Sequence, residues 1–181
     1  MSPRPPDLVV NNTLYIQSFQ PLAGPGAKIL ILGSMPGIAS LEAGQYYAHS
    51  RNAFWPIMGD VFGAQPSLSY EARRSILINH GVAVWDVLKL CRREGSLDSN
   101  IRDEVPNDFA KFFEMFPSIS RVLLNGGTAA KSYGKYVQPL VPELPALAVP
   151  STSPAYAAMR YGEKLDRWRY AILKTGPALI P

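Results

Sequence analysis

Four short aliphatic runs, separated by stretches with helical spacing, limit what this chain can fold into more than any other feature. They are "KILILGS" (28–34), "VAVWDVL" (82–88), "RVLLNGG" (121–127) and "PALAVPSTSPA" (145–155). A run apolar at nearly every position, rather than at alternate ones, is the pattern of a strand covered on both faces. Between them lie helices. "RNAFWPIMGDVFG" (51–63) begins one near Asn52, with Pro56 tolerable in its first turn. "SYEARRSILINH" (69–80) takes Ser69 as its cap and Gly81 as its stop. "NDFAKFFEMFP" (107–117) takes Asn107 as its cap, "TAAKSYGKY" (128–136) opens at Thr128, and "RYGEKLDRWRYAILK" (160–174) is amphipathic. The charged stretch "KLCRREGSLDSNI" (89–101) reads as a loop. Strands alternating with helices pair in parallel through crossover helices, which predicts the α/β class and a three-layer α/β/α sandwich.

In such sheets ligands bind beyond the carboxyl ends of the strands. Three strand ends here carry the loops "GSMPG", "NGGT" and "PSTSPA", whose convergence predicts a cleft. Several chemistries are excluded. "NGGTAAKS" has Asn125 and Ala130 where a phosphate loop needs glycines, so it reads as a strand, a tight turn and a capped helix. There is no G-x-G-x-x-G fingerprint and no G-x-S-x-G elbow. One cysteine, Cys91, excludes an internal disulfide and a cysteine-rich metal site, and two histidines, His49 and His80, are too few for a histidine-based one unless carboxylates join. No run is long enough to cross a membrane and no signal peptide is evident, so a cytoplasmic location is expected. The 18 Lys and Arg exceed the 14 Asp and Glu, a net charge of +4 that favours an anionic partner without specifying one.

The loop after the first run is the densest in chemistry: "GSMPGIASLEAGQYYAHSRNAFW" (33–55). Tyr46 and Tyr47 offer π faces, the amides of residues 33–37 offer donors, and Asn52 carries a donor and an acceptor on one planar group. Stacking plus a bidentate amide is how a protein reads a nucleobase edge. The same residues also fit a packed aromatic pair and a helix cap, and their types alone leave both readings open.

"ILGSMPG" followed by "QYYAHSRNAFW" resembles the first motif of the uracil-DNA glycosylase superfamily, and most closely its hypoxanthine-DNA (deoxyinosine) glycosylase branch. "VWDVLKLCRREGSLDSNI", "LLNGGTAAKSY" and "PSTSPAYA" follow in that branch's order. The resemblance implies a central four-stranded, mainly parallel sheet between helices. It divides the chain into an N-terminal extension (1–20) and a single glycosylase domain (21–181). The implied activity is excision of a deaminated base, hypoxanthine first and xanthine or uracil as alternatives, from double- or single-stranded DNA. The base is flipped from the stack and its N-glycosidic bond is hydrolysed by a monomer that needs no metal and no cofactor.

Residue by residue, the resemblance makes Gly33, Ser34, Met35, Pro36 and Gly37 the pocket wall, Tyr47 the stacking aromatic and Asn52 the catalytic amide. His49 then orients Asn52, touches a phosphate or is structural, while Phe54 and Trp55 belong to the core and Tyr46 packs elsewhere. Ser151, Thr152 and Ser153 would donate to phosphates, Pro154, Ala155 and Tyr156 would wedge into the gap left by the base, and Arg160 would touch the backbone. The chain departs from the superfamily pattern at Met35, where a polar residue often directs water. It departs again at Ser50, in an element usually read "HPRN", and at Val149, where a histidine often precedes Pro-Ser. These departures leave a non-catalytic nucleic-acid or nucleotide-binding module, or a hydrolase of free nucleosides, as competing readings.

Overall fold

In the computed structural model the described residues are 8–10 and 13–174. The aliphatic runs form strands β3 (Ile29–Gly33), β4 (Val82–Asp86), β7 (Arg121–Asn125) and β8 (Ala146–Val149). They build one parallel sheet in the order β4-β3-β7-β8, with Ile31 opposite both Val84 and Leu123. Every residue of β3 and of β4 is buried, as a sheet covered on both faces requires. Helices α1 (Ile38–Ala43), α2 (Phe54–Phe62), α3 (Tyr70–Asn79), α4 (Phe109–Met115), α5 (Gly127–Tyr136) and α6 (Tyr161–Leu173) complete the fold. They flank the sheet in the three-layer arrangement expected. Helix α3 packs on β4, α5 on β7 and α6 on β8, while α2 touches both α3 and α6.

Two features at helix ends match or correct the sequence expectation. Ser69 caps α3, its side chain accepting from the Ala72 N–H at 3.2 Å. Asn107 does not cap α4. Asp108 does, accepting from the Lys111 N–H, and this leaves the Asn107 amide free to donate to the Asp86 carbonyl at 2.8 Å.

A second sheet corrects the reading of 89–101 as a loop. Strands β1 (Leu8–Val10), β2 (Thr13–Gln17), β5 (Leu88–Arg92) and β6 (Arg102–Pro106) pair antiparallel in the order β1-β2-β5-β6. Thr13–Gln17, within the segment set apart as an extension, thus pairs with a strand of the main body. Residues 1–7 lie outside the described residues. Only Val87 separates β4 from β5, so the chain leaves one sheet and enters the other at Asp86–Leu88. Leu22 pairs with Val84 through two backbone hydrogen bonds and covers the outer edge of β4.

The candidate active site

The carboxyl ends of β3, β4 and β7 open into one cavity of about 330 Å³, within the range of small-ligand sites. Its floor is Gly33. A Cβ at that position would meet Asp86 Oδ1 at 2.5 Å and the Tyr47 hydroxyl at 3.1 Å, so the absent side chain is what lets these two groups converge there. The cavity is lined by Gly33, Ser34, Met35, Pro36, Gly37, Tyr47, His49 and Asn52, and from the other loop by Ser151, Thr152, Ser153, Pro154, Ala155 and Tyr156. Two segments 96 residues apart at their nearest, 33–55 and 151–156, therefore share one space (151 less 55). Arg160 stands outside it, exposed at the N-terminus of α6. Tyr46 also reaches the lining, but it is nearly buried and its hydroxyl donates to the Gln20 carbonyl at 2.8 Å.

Tyr47 is held in an unusual way. Its backbone takes φ +55°, a left-handed conformation costly for a bulky residue, and its ring stacks on Phe54 at 4.0 Å between centroids. Phe54 is fully buried and contacts Trp55 and Trp168 edge-on, so Tyr47 is backed by a rigid aromatic column. Its hydroxyl is buried without a hydrogen-bond partner, and burial together with the charge of Asp86 pushes its pKa upward.

Asn52 ends the loop. It is not the cap of α2, which is Ala53, but it stands one residue before that cap, and its Oδ1 accepts from the N–H of Phe54, the first helical residue, at 2.9 Å. That bond fixes the amide plane and leaves Nδ2 and the second lone pair of Oδ1, with no partner among the described residues. The structural and functional readings of Asn52 are therefore compatible. His49 is oriented in a similar manner: its Nδ1 accepts from the Arg51 N–H at 3.1 Å, which leaves Nε2 to carry the ring proton.

The opposite loop is tied down from beneath. The Asn125 amide at the end of β7 clasps Thr152 twice, donating to Oγ1 and accepting from its N–H, each at 2.9 Å. Thr152, expected to donate to a phosphate, is instead buried with its hydroxyl engaged inside the protein. The Thr152 carbonyl accepts from the Ala53 N–H at 2.9 Å, which joins this loop to the Asn52 loop. Gly126 has φ +93° and sits so close to Ser151 that a Cβ there would lie 2.9 Å from the serine Cβ. Trp168 Nε1 donates to the Pro150 carbonyl, and the buried Lys164 ammonium donates to the Tyr156 carbonyl at 3.2 Å. Tyr156 itself is exposed at the rim.

The third wall was not anticipated. It comes from the segment after β5 and from the end of β4. The Ser34 hydroxyl donates to Asp98 Oδ2 at 2.8 Å, the Ile38 N–H donates to Ser96 Oγ at 2.9 Å, and the Arg93 guanidinium donates to the Pro36 carbonyl. Asp86 and Asp98 both line the cavity. Burial, then the charge of Asp98, pushes the Asp86 carboxyl up to about 7, with Arg93 opposing. Burial also raises Asp98, against the hydrogen bond from Ser34 and the charge of Arg93. Asp86 was legible in principle, since an ionisable residue at the carboxyl end of an otherwise aliphatic strand is a site signal.

Residues 21–175 match the model of the uracil DNA glycosylase superfamily. The chain belongs to that superfamily. A hypoxanthine DNA glycosylase of Methanosarcina barkeri (strain Fusaro / DSM 804) is 39% identical over 121 residues, 66% of this chain and 74% of the relative. A hypoxanthine DNA glycosylase of Methanosarcina acetivorans is 36% identical over 116 residues, 64% of this chain and 73% of that one. A solution NMR structure of a proposed uracil DNA glycosylase from Methanosarcina acetivorans superposes with a TM-score of 0.72 at 31% identity, covering 87% of this chain and 98% of that one. Among the described residues, no helix is long and apolar enough to cross a membrane, and no three His, Cys, Asp or Glu side chains are grouped to hold a metal ion.

Proposed function

We propose that this protein is a monomeric, cytoplasmic DNA glycosylase that removes deaminated bases from DNA, with hypoxanthine its main substrate. The observation that carries this reading is that Tyr47 and Asn52 line one cavity at the carboxyl end of the parallel sheet. The names of the relatives favour hypoxanthine over uracil and xanthine. Residues 21–181 form the catalytic domain, with Thr13–Gln17 joined to it as a strand.

A glycosidic bond inside a duplex is out of reach, so the nucleotide must leave the stack at a cost of a few kcal/mol. Tyr156 and Pro154 on the rim fill the space it vacates, and Tyr47, backed by Phe54, stacks on the extruded ring. The oxygen of a water molecule then bonds to C1′ as the C1′–N9 bond breaks. The bonding electron pair goes to the base, which leaves carrying a proton derived from that water, and the sugar keeps a hydroxyl. Negative charge builds on the departing ring. An amide cannot deprotonate water, and Oδ1 of Asn52 already accepts from the Phe54 N–H. Asn52 therefore works by position: Nδ2 donates to the base, or the second lone pair of Oδ1 accepts from the water.

Duplexes carrying inosine, uracil or xanthine, treated with the protein and then with alkali, test the proposal. Strand cleavage at inosine, exceeding that at the other two, is the expected result. Binding without cleavage at any of them would make the cleft a non-catalytic module. Cleavage of free nucleosides with little dependence on salt would make it a small-molecule hydrolase, since several phosphate contacts impose a steep salt dependence.

A further inference from the structure

Lys164 is a buried cation without a carboxylate. It is 5% exposed, on the face of α6 that also buries Trp168, Ala171 and Ile172. Among the described residues it enters no ion pair. Lysine is almost never so buried unless paired, and an apolar side chain of similar volume would fill the place at lower cost. The amphipathic pattern of α6 calls for such an apolar residue at 164, so what the ammonium touches points to its task.

Its ammonium meets one residue in two ways. Nζ donates to the Tyr156 carbonyl at 3.2 Å and lies 5.2 Å from the centre of the same tyrosine's ring. A cation within about 6 Å of a ring face is attracted to it, and more strongly where water is excluded. Lys164 therefore holds both the main chain and the side chain of a residue exposed at the cavity rim. One turn further along α6, Trp168 Nε1 donates to the Pro150 carbonyl at 2.9 Å. Residues four apart on a helix share a face, so α6 grips the loop 150–156 at both ends. The Asn125 amide grips Thr152 between them. From Ser153 onward the loop closes on itself, the Tyr156 N–H donating to the Ser153 carbonyl at 3.0 Å. Lys164 is what ties this outer end to the body of the protein.

We infer that Lys164 is a positioning residue for base extrusion, bracing Tyr156 so that its ring enters the gap left by the departing nucleotide in one orientation. This rests on the glycosylase reading, and within it assigns Lys164 to capture of the base rather than to bond breaking. Lys164 stands behind Tyr156, outside the residues that line the cavity, and does not meet the base. An unbraced tyrosine would give up rotamer and backbone freedom on insertion, a cost that a preorganised one avoids. A base that is already unpaired needs no such brace.

The test is single-turnover excision of inosine, either paired in a duplex or bulged unpaired from the same duplex. It compares wild type, Lys164→Met, Tyr156→Ala and the double variant. Methionine keeps an apolar stem of similar length and removes the donor and the charge. On paired inosine Lys164→Met should be slower by about tenfold, and the double variant no slower than Tyr156→Ala, because the two residues act as a unit. On bulged inosine the Lys164→Met deficit should shrink to about twofold or less, since an unpaired base costs least to flip. Lys164→Gln takes the same comparison should Lys164→Met not fold. The inference is overturned if the Lys164 variant cleaves paired inosine at the wild-type rate, or if the two losses multiply in the double variant. It is equally overturned if the deficit is the same on both substrates, the mark of a merely structural role. Wild-type protein inactive on both substrates would instead sink the glycosylase reading itself.

Discussion

Two walls of the cavity are built from different chemistry. One, from the loop between β3 and α2, is neutral: the Tyr47 ring stacked on Phe54, and the Asn52 amide locked by the Phe54 N–H. The other, from the end of β4 and the segment after β5, is ionisable: Asp86 and Asp98 both line the cavity, and the charges of Asp98 and Arg93 act on Asp86. The neutral wall offers a flat surface and a fixed donor whatever the pH. What the ionisable wall offers depends on where its protons sit. They start from the neighbouring ends of β3 and β4, where Gly33 pairs with Asp86, and Ser34 links them through Asp98.

The largest expected effect falls on the neutral wall. Asn52→Ala should slow base excision by about a hundredfold, near 3 kcal/mol, at every pH, because its donor is not titratable. A loss confined to one side of pH 7 would erase the distinction between the walls. Tyr47→Leu comes next. Losing a stacked base costs about 1–3 kcal/mol, and the deficit should appear on duplex inosine without altering the pH dependence.

A stability measurement sharpens the other wall. Asp86 has its carboxyl raised to about 7 in the folded protein against about 3.9 when unfolded. The folded state therefore holds the extra proton in that window. Its contribution to stability is full below about pH 4 and lost as pH rises to about 7. Asp86→Asn removes this loss, so its Tm should exceed that of wild type by a margin that grows between those pH values and is constant above them. A margin independent of pH would place the charge elsewhere. The smallest effect belongs to Arg160, which lies outside both walls: Arg160→Ala should weaken DNA binding equally for all sequences and reduce the salt slope by about one.

The parallel sheet was legible because its strands are covered on both faces, and complete burial leaves a continuous aliphatic signature in β3 and β4. The antiparallel sheet was not. In β5 only Leu88 and Cys91 are buried, and β6 is mostly exposed, so both strands carry the charges of a solvated surface and resemble a loop. The pairing of β5 with β2 also joins residues more than seventy apart, Ile16 with Cys91, which no local pattern records (91 less 16). The same division runs through the site. Tyr47 and Asn52 stood out because aromatic and amide side chains crowd a short Gly- and Pro-rich loop. Asp86 was absorbed into its aliphatic strand, and Asp98 into the supposed loop. Asn125 read only as part of a turn, yet its clasp on Thr152 sets the position of the opposite rim.

The most direct test of the central claim, that this cavity receives a single base turned out of DNA, is a crystal structure of the Asn52→Ala protein bound to an inosine duplex. The account predicts the hypoxanthine ring outside the helix, lying on the Tyr47 ring in the cavity that Asp86 also lines. A ring still stacked in the duplex, or seated in another cavity with Tyr47 and Asp86 untouched, would contradict it.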